Sequence, residues 1–235
     1  FHPFLSGFNP VDKNAVAHIE RMLEMHPGLW QGIGEVFTRH DDLTALTSGD
    51  TPRANNEAMT RIYHLAAEQD LPVLIHSNIT SKRERNPLYL AEIEEPLRNH
   101  PHTRFIWAHA GSSLEIHRHQ TRMDFLLPTL ERLLDAYPNL YIDLSWSVLE
   151  PYLLDDKGKP VPEWLALVER FPERFMLGSD VVGRFGSLGE QMHGFDVFLD
   201  ALPEPVARKV ARENFLAVLP LSLIHISEPT RQEAI

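Results

Sequence analysis

Four side chains in this sequence are of the types that hold a divalent cation: one is carried within an apolar run, and three stand at the carboxyl end of theirs. They are Glu35, within Ile33 to Phe37; His76, closing Val73 to His76; His109, closing Arg104 to His109; and Asp180, directly after Phe175 to Ser179. Imidazole nitrogens and carboxylate oxygens are the donors of open zinc-type sites, which keep one position for water. The chain has no cysteine, so thiolate ligands, disulfides and cysteine nucleophiles are excluded, while 13 histidines leave ample donors. Singly, each residue has an ordinary structural use: a histidine can close a loop, an aspartate after Gly-Ser can cap a helix, and a buried glutamate can pair with an arginine. Two histidines and an acid at the same end of successive strands answer no structural need, and together they point to a metal site.

Such a site needs a scaffold that gathers strand ends. Short apolar runs alternate with stretches of helical period along the chain, the pattern of β/α units around a parallel sheet. The spacing predicts strands at Phe4 to Phe8, Ile33 to Phe37, Val73 to His76, Arg104 to His109, Leu140 to Ser145 and Phe175 to Ser179. Between them, apolar residues three and four apart predict one-sided helices: Val16, Ile19 and Leu23; Met59, Ile62, Tyr63 and Ala66; Leu126, Leu130, Leu133 and Leu134; Leu165 and Val168; Val206, Val210 and Leu216. Thr51-Pro52 and Asn86-Pro87 read as helix starts, and Pro96 as a start or kink. No glycine-rich phosphate loop accompanies any strand, which argues against an open nucleotide-binding sheet. The expected fold is α/β, an incomplete (β/α)8 TIM barrel with about six of its eight units, forming one domain over residues 1–220. In such a barrel the catalytic groups stand at the carboxyl ends of the strands.

A formal net charge of -11 excludes a nucleic-acid backbone or an anionic membrane surface as the natural partner and favours a small-molecule substrate. Nor does any apolar run approach the roughly 20 residues of a membrane helix. A cytoplasmic location is expected, with a leader upstream of Phe1 as the alternative, and a homo-oligomer is compatible with the sequence. The chain opens on Phe1 inside a strand pattern and without an initiator Met, which we read as truncation. Residues 221–235 have neither helical nor strand period and resemble a translated sequencing adapter, so His225 is left out of the functional reading.

Five stretches carry a family resemblance: Gly32-Ile-Gly-Glu-Val-Phe37, Leu71-Pro-Val-Leu-Ile-His76, Phe105-Ile-Trp-Ala-His-Ala-Gly111, Leu140-Tyr-Ile-Asp-Leu-Ser145 and Phe175-Met-Leu-Gly-Ser-Asp180. Together they resemble the metal-dependent amidohydrolase superfamily, in the branch that includes aminocarboxymuconate-semialdehyde decarboxylase. The resemblance implies that His76 and His109 are the metal-site histidines of the fifth and sixth strands. It implies that Asp180 is the aspartate that touches both metal and water, and that Glu35 is similar to a carboxylate bridging two metals in some relatives. It also implies a divalent cofactor, Zn2+ or alternatively Mn2+, and a catalytic pair of Asp180 and His109. The family's His-x-His at the end of the first strand has no counterpart here. His2 stands alone, and His117 and His119 follow the Gly111 loop, where they read as rim residues.

Around these ligands, Arg39, Asn78, Trp146 and Arg184 follow strand ends and are the candidate substrate-binding residues, the arginines suiting a carboxylate. Trp107, next to His109 in sequence, is expected to pack between sheet and helices. The expected function is metal-dependent hydrolysis of a small carboxylated amide, ester or lactone. Non-oxidative decarboxylation on the same scaffold is the alternative, and a barrel that binds a ligand without turnover is a second one.

Overall fold

A computed structural model describes residues 1–40, 51–145, 148–183 and 185–220. Its elements alternate as the periodicity requires: β1 (Phe4–Leu5), α1 (Ala15–Met25), β2 (Gly32–Thr38), α2 (Glu57–Glu68), β3 (Val73–Ser77), α3 (Leu90–Asn99), β4 (Phe105–Trp107), α4 (Leu114–Gln120), α5 (Leu126–Ala136), β5 (Leu140–Asp143), α6 (Pro162–Arg170) and β6 (Phe175–Met176). Four short helices follow: α7 (Leu188–His193), α8 (Asp196–Asp200), α9 (Glu204–Arg208) and α10 (Asn214–Val218). The strands form one parallel sheet in the order β1-β2-β3-β4-β5-β6. A doubly wound sheet reverses its strand order at a switch point. Here the order never reverses, so the sheet is the open wall of a (β/α) barrel.

Successive strand residues face opposite sides, and the two sides differ in kind. Leu5, Ile33, Val73, Ile75, Phe105, Trp107, Leu140, Ile142 and Phe175 point outward into the main core. There they meet Ile19 of α1, Met59, Ile62 and Tyr63 of α2, Leu130 and Leu133 of α5, and Trp164 and Val168 of α6. The alternate residues Phe4, Leu74, Ile106, Tyr141 and Met176 line the concave side, where Phe215 and Val218 of α10 pack against them. Trp107 is fully buried in the outer layer and its indole N–H donates to the Ser77 carbonyl at 2.8 Å. The expected sheet–helix role is the one it has.

Several boundaries differ from expectation. β1, β4, β5 and β6 stop at Leu5, Trp107, Asp143 and Met176 because their ladders end there, the last pairs being Leu5 with Ile33, Trp107 with Ile142 and Asp143 with Met176. His109 consequently lies one 3-10 turn, Ala108–Gly111, past its strand. α2 is capped by Asn56, whose side chain accepts from the Met59 N–H at 3.0 Å, and not at Thr51-Pro52; α3 begins at Leu90, past Asn86-Pro87, and Pro96 sits inside it. The C-terminal helical face keeps Val206 and Val210 against the core as expected, but continues with Asn214 and Val218 in place of Leu216. A π-helical turn, Lys209–Glu213, rotates the face, and the Asn214 amide donates to the carbonyls of Pro172 at 2.9 Å and Phe175 at 2.7 Å.

Tyr63 offers a test of this core, since its hydroxyl donates to the Ala54 carbonyl at 2.8 Å with both residues fully buried. Tyr63→Phe leaves that carbonyl without its donor and should cost about 1–3 kcal/mol. In urea denaturation the midpoint should fall with the slope unchanged.

Candidate metal centre

Glu35 reaches the concave side only because β2 breaks its alternation. Ile33 pairs with Val73 and Val36 with Ile75, so three steps along β2 match two along β3. This is a β-bulge, and the extra residue lets Ile33 and Val36 both enter the outer core while Glu35 turns inward. Gly34 makes the bulge with φ +131°, and a Cβ there would lie 2.2 Å from the Leu74 carbonyl oxygen. No side chain fits at that point.

His76 projects inward from β3 in the same sense as Leu74. His109 sits at φ 55° in its 3-10 turn, its backbone N–H donating to Asp143 Oδ2 at 3.2 Å. Asp180 follows the glycine-containing loop after β6 at φ 47°. Non-glycine residues in the left-handed region are uncommon and gather at functional sites, so two of the four sharing one site is notable.

Glu35, His76 and His109 each place a donor atom within 4.8 Å of the others'. Glu35 Oε1 lies 3.2 Å from His76 Nδ1 and 3.5 Å from His109 Nε2, and Asp180 Oδ2 lies 3.7 Å from the same Nε2. Both histidines are buried and both carboxylates are partly open. Burial alone would push Glu35 upward, but the neighbouring His109 and His76 rings outweigh it and hold the carboxyl at about 2. Asp180 is shifted the opposite way, upward: burial dominates, and the charges of Glu35 and Asp143 add to it against the pull of His109. Burial disfavours a charged His109 ring, yet Glu35, Asp143 and Asp180 together raise its affinity for a proton.

Asn78 Oδ1 takes His76 Nε2 at 3.0 Å, so Asn78, expected as a substrate residue, instead orients a candidate metal ligand. His40 lies against the same ring, centroids 4.4 Å apart, and burial followed by the nearby His76 lowers it to about 4. Arg39 directs its guanidinium to Glu92, Nε at 2.7 Å and Nη2 at 2.6 Å, and lies over the Tyr89 ring. Trp146 and Arg184, the other two candidate substrate residues, fall outside the described residues. His117 and His119 lie on α4, their Nδ1 atoms on the carbonyls of Thr121 and Glu115, and His2 sits edge-on against Phe215.

Sequence reasoning passed over Asp143 and Ser145 as functional groups. His109 Nδ1 meets Ser145 Oγ at 2.7 Å, and that hydroxyl is in turn bonded to Asp143 Oδ2. The signal was present: Asp-x-Ser at a strand end puts both side chains on one face. Glu35, His109, Asp143, Ser145 and Asp180 share a cavity of about 180 Å3 with the apolar side chains of Leu74, Ile106, Met176 and Phe215. Larger hollows of about 530 and 540 Å3 occur between α1 and α2 and beside Lys13, but no histidine lines either.

A divalent cation fits this donor set: two buried imidazoles whose inward nitrogens face an ionised carboxylate, with a second carboxylate beside them. Glu35, His76 and His109 would hold it, with Asp180 adjacent.

A family model described as amidohydrolase matches residues 1–221. Among solved structures the chain is similar to an amidohydrolase from Burkholderia multivorans with bound zinc, at 18% identity and a TM-score of 0.60, covering 92% of this chain and 74% of that one. It is similar to an uncharacterized TIM-barrel protein from Bordetella bronchiseptica at 15% identity and a TM-score of 0.59, covering 93% and 66%. A third likeness is to 5-carboxyvanillate decarboxylase from Sphingomonas paucimobilis, at 16% identity and a TM-score of 0.53, covering 91% and 65%. These likenesses are of fold, and the chain spans between 65% and 74% of the three structures' lengths. No curated protein matches.

Proposed function

We propose that this chain, which belongs to the amidohydrolase family, carries the site of a metal-dependent hydrolase that opens an amide, ester or lactone bond in a small carboxylated substrate. The observation that supports it best is geometric: Glu35, His76 and His109 bring donor atoms within 4.8 Å of one another with Asp180 Oδ2 3.7 Å from His109 Nε2, and in that setting the imidazoles lower Glu35 while burial raises Asp180. Pairs of titratable groups pushed apart by their surroundings mark separate acid–base roles. Glu35, ionised at any working pH, offsets cationic charge. Asp180, with a raised proton affinity, accepts a proton from the attacking water and returns it to the departing nitrogen or oxygen. His109 Nε2 stands between the two, 3.5 Å from Glu35 Oε1 and 3.7 Å from Asp180 Oδ2, where it would be a ligand of the ion. When bound, a divalent ion such as zinc would supply Lewis acidity, making water a stronger acid and polarising the substrate oxygen.

Product analysis tests this reading. Zinc-loaded protein, given a carboxylated lactone and the corresponding ester and amide, should form one new carboxyl group per bond opened, and given a carboxylated phenol it should release no carbon dioxide. Carbon dioxide as the product would replace hydrolysis with decarboxylation on the same scaffold. Binding of these compounds without turnover would leave a ligand-binding barrel.

Metal binding should also follow pH in a definite sense. A proton on His109 excludes a metal from that nitrogen. Because His109 holds its proton above the ordinary 6.5, zinc affinity should be full at alkaline pH and should begin to fall above pH 6.5 as the solution is acidified. The metal-free fold has the opposite dependence at this residue. There the raised value contributes stability in full below about 6.5, lost as pH rises through the folded value. Zinc titrations across pH, paired with melts of the metal-free chain, should show the two slopes crossing; an affinity flat down to pH 6 would contradict the prediction.

A further inference from the structure

We infer that Asp143 and Ser145 form a directional hydrogen-bond relay that fixes the ring tautomer of His109, making both of them positioning residues for the proposed metal site. The direction follows from counting hydrogens. Asp143 Oδ2 accepts the backbone N–H of His109 at 3.2 Å, and an amide can only donate. As a carboxylate it also accepts the Ser145 hydroxyl hydrogen. Ser145 Oγ has then given up its one hydrogen, so toward His109 Nδ1, at 2.7 Å, it can only accept. Nδ1 therefore carries the ring proton, and the Nε2 lone pair is aimed at the space between Glu35 Oε1 and Asp180 Oδ2, at 3.5 and 3.7 Å.

The relay is built into the fold at three points. Asp143 and Ser145 are two residues apart at the end of β5 and project to one side, and both are buried, as is His109. The backbone bond to Asp143 anchors His109 at φ 55°. The third point is Gly178 after β6, where a Cβ would lie 2.6 Å from Asp143 Oδ1 and 3.1 Å from the Ser145 Cβ. A glycine there keeps open the room that Asp143 and Ser145 occupy.

The inference rests on the metal-site reading for its purpose but not for its structure, and the experiment separates the two. The full chain, with 15N-labelled histidines and no metal, is observed by NMR at alkaline pH where the imidazoles are neutral; zinc is then titrated into each protein. Wild type should show His109 as the Nδ1–H tautomer. Asp143→Ala removes the acceptor that fixes the Ser145 hydroxyl, which then turns to donate to Nδ1: His109 should become the Nε2–H tautomer, which Glu35 and Asp180 also favour, and zinc affinity should fall about 10- to 100-fold. Ser145→Ala should give mixed tautomers and an intermediate loss, and it carries the test if Asp143→Ala fails to fold. An unchanged His109 tautomer in the folded variant would overturn the relay. Reversed tautomers with wild-type zinc binding would overturn its role in the site. If wild type shows the Nδ1–H tautomer but takes up no zinc, the relay stands as structure, the role inferred for it is overturned, and the metal-site reading fails with it.

Discussion

Asp180→Asn should lower the turnover of the zinc-loaded protein by about 10²- to 10⁴-fold, the range that a positioned acid–base group supplies. The amide is nearly isosteric and can still accept a hydrogen bond, but it cannot take a proton from water. Substrate affinity should therefore change little, and the loss should fall on kcat with KM nearly constant. Zinc should remain bound, because Glu35, His76 and His109 bring their donors together without Asp180. Kinetics and zinc content measured on the same sample separate the roles. Loss of metal in step with activity would make Asp180 a ligand and no more; unaltered kcat would remove it from the chemistry.

Gly34→Ala is expected to damage fold and site together. A methyl group at Gly34 would sit 2.2 Å from the Leu74 carbonyl oxygen, on a backbone at φ +131° that side chains rarely adopt. Relief requires β2 to move away from β3, at a cost on the order of 3 kcal/mol. For a chain of this size that corresponds to a melting temperature about 6–12 °C lower. The bulge that turns Glu35 inward would be lost, and zinc binding with it. Glu35→Gln is the control: it leaves the bulge and removes the charge, so it should weaken zinc binding and lower the melt only by the lost pairing of the carboxylate with His76 and His109. A Gly34→Ala protein that melts and binds zinc as wild type does would show that the bulge does not place the glutamate.

Much of this architecture was readable in the sequence, for a definite reason. Parallel strands covered by helices must alternate apolar runs of period two with stripes of period 3.6, and both Val73–Ser77 and Leu126–Ala136 show their own period clearly. The candidate ligands were readable because His76, His109 and Asp180 end apolar runs, where a polar group has little packing use. Glu35 was picked out by residue type, but strict alternation from Ile33 would have pointed it into the helix layer. Only the pairing of β2 with β3 corrects that, and pairing is a long-range fact. The same holds for the lengths of β1, whose pairing stops at Ile33 where β2 bulges, and of β6, which ends where β5 ends. It holds too for the C-terminal helical face, where a buried Asn214 takes a position that a hydrophobic pattern reserves for leucine. The relay was missed because its partners lie 34 and 36 residues from His109.

The concave side of the sheet gives the ligand set an insulating floor. Leu74, Ile106, Met176 and Phe215 line the cavity on the sheet and α10 side, and apolar side chains neither solvate an ion nor relay a proton. Charge at Glu35 and Asp180 is therefore poorly screened from that direction, which strengthens every interaction between them and whatever lies between. Water, ions and protons find no polar partner on those four side chains, so a polar substitution among them should weaken how strongly the charges of the site feel one another.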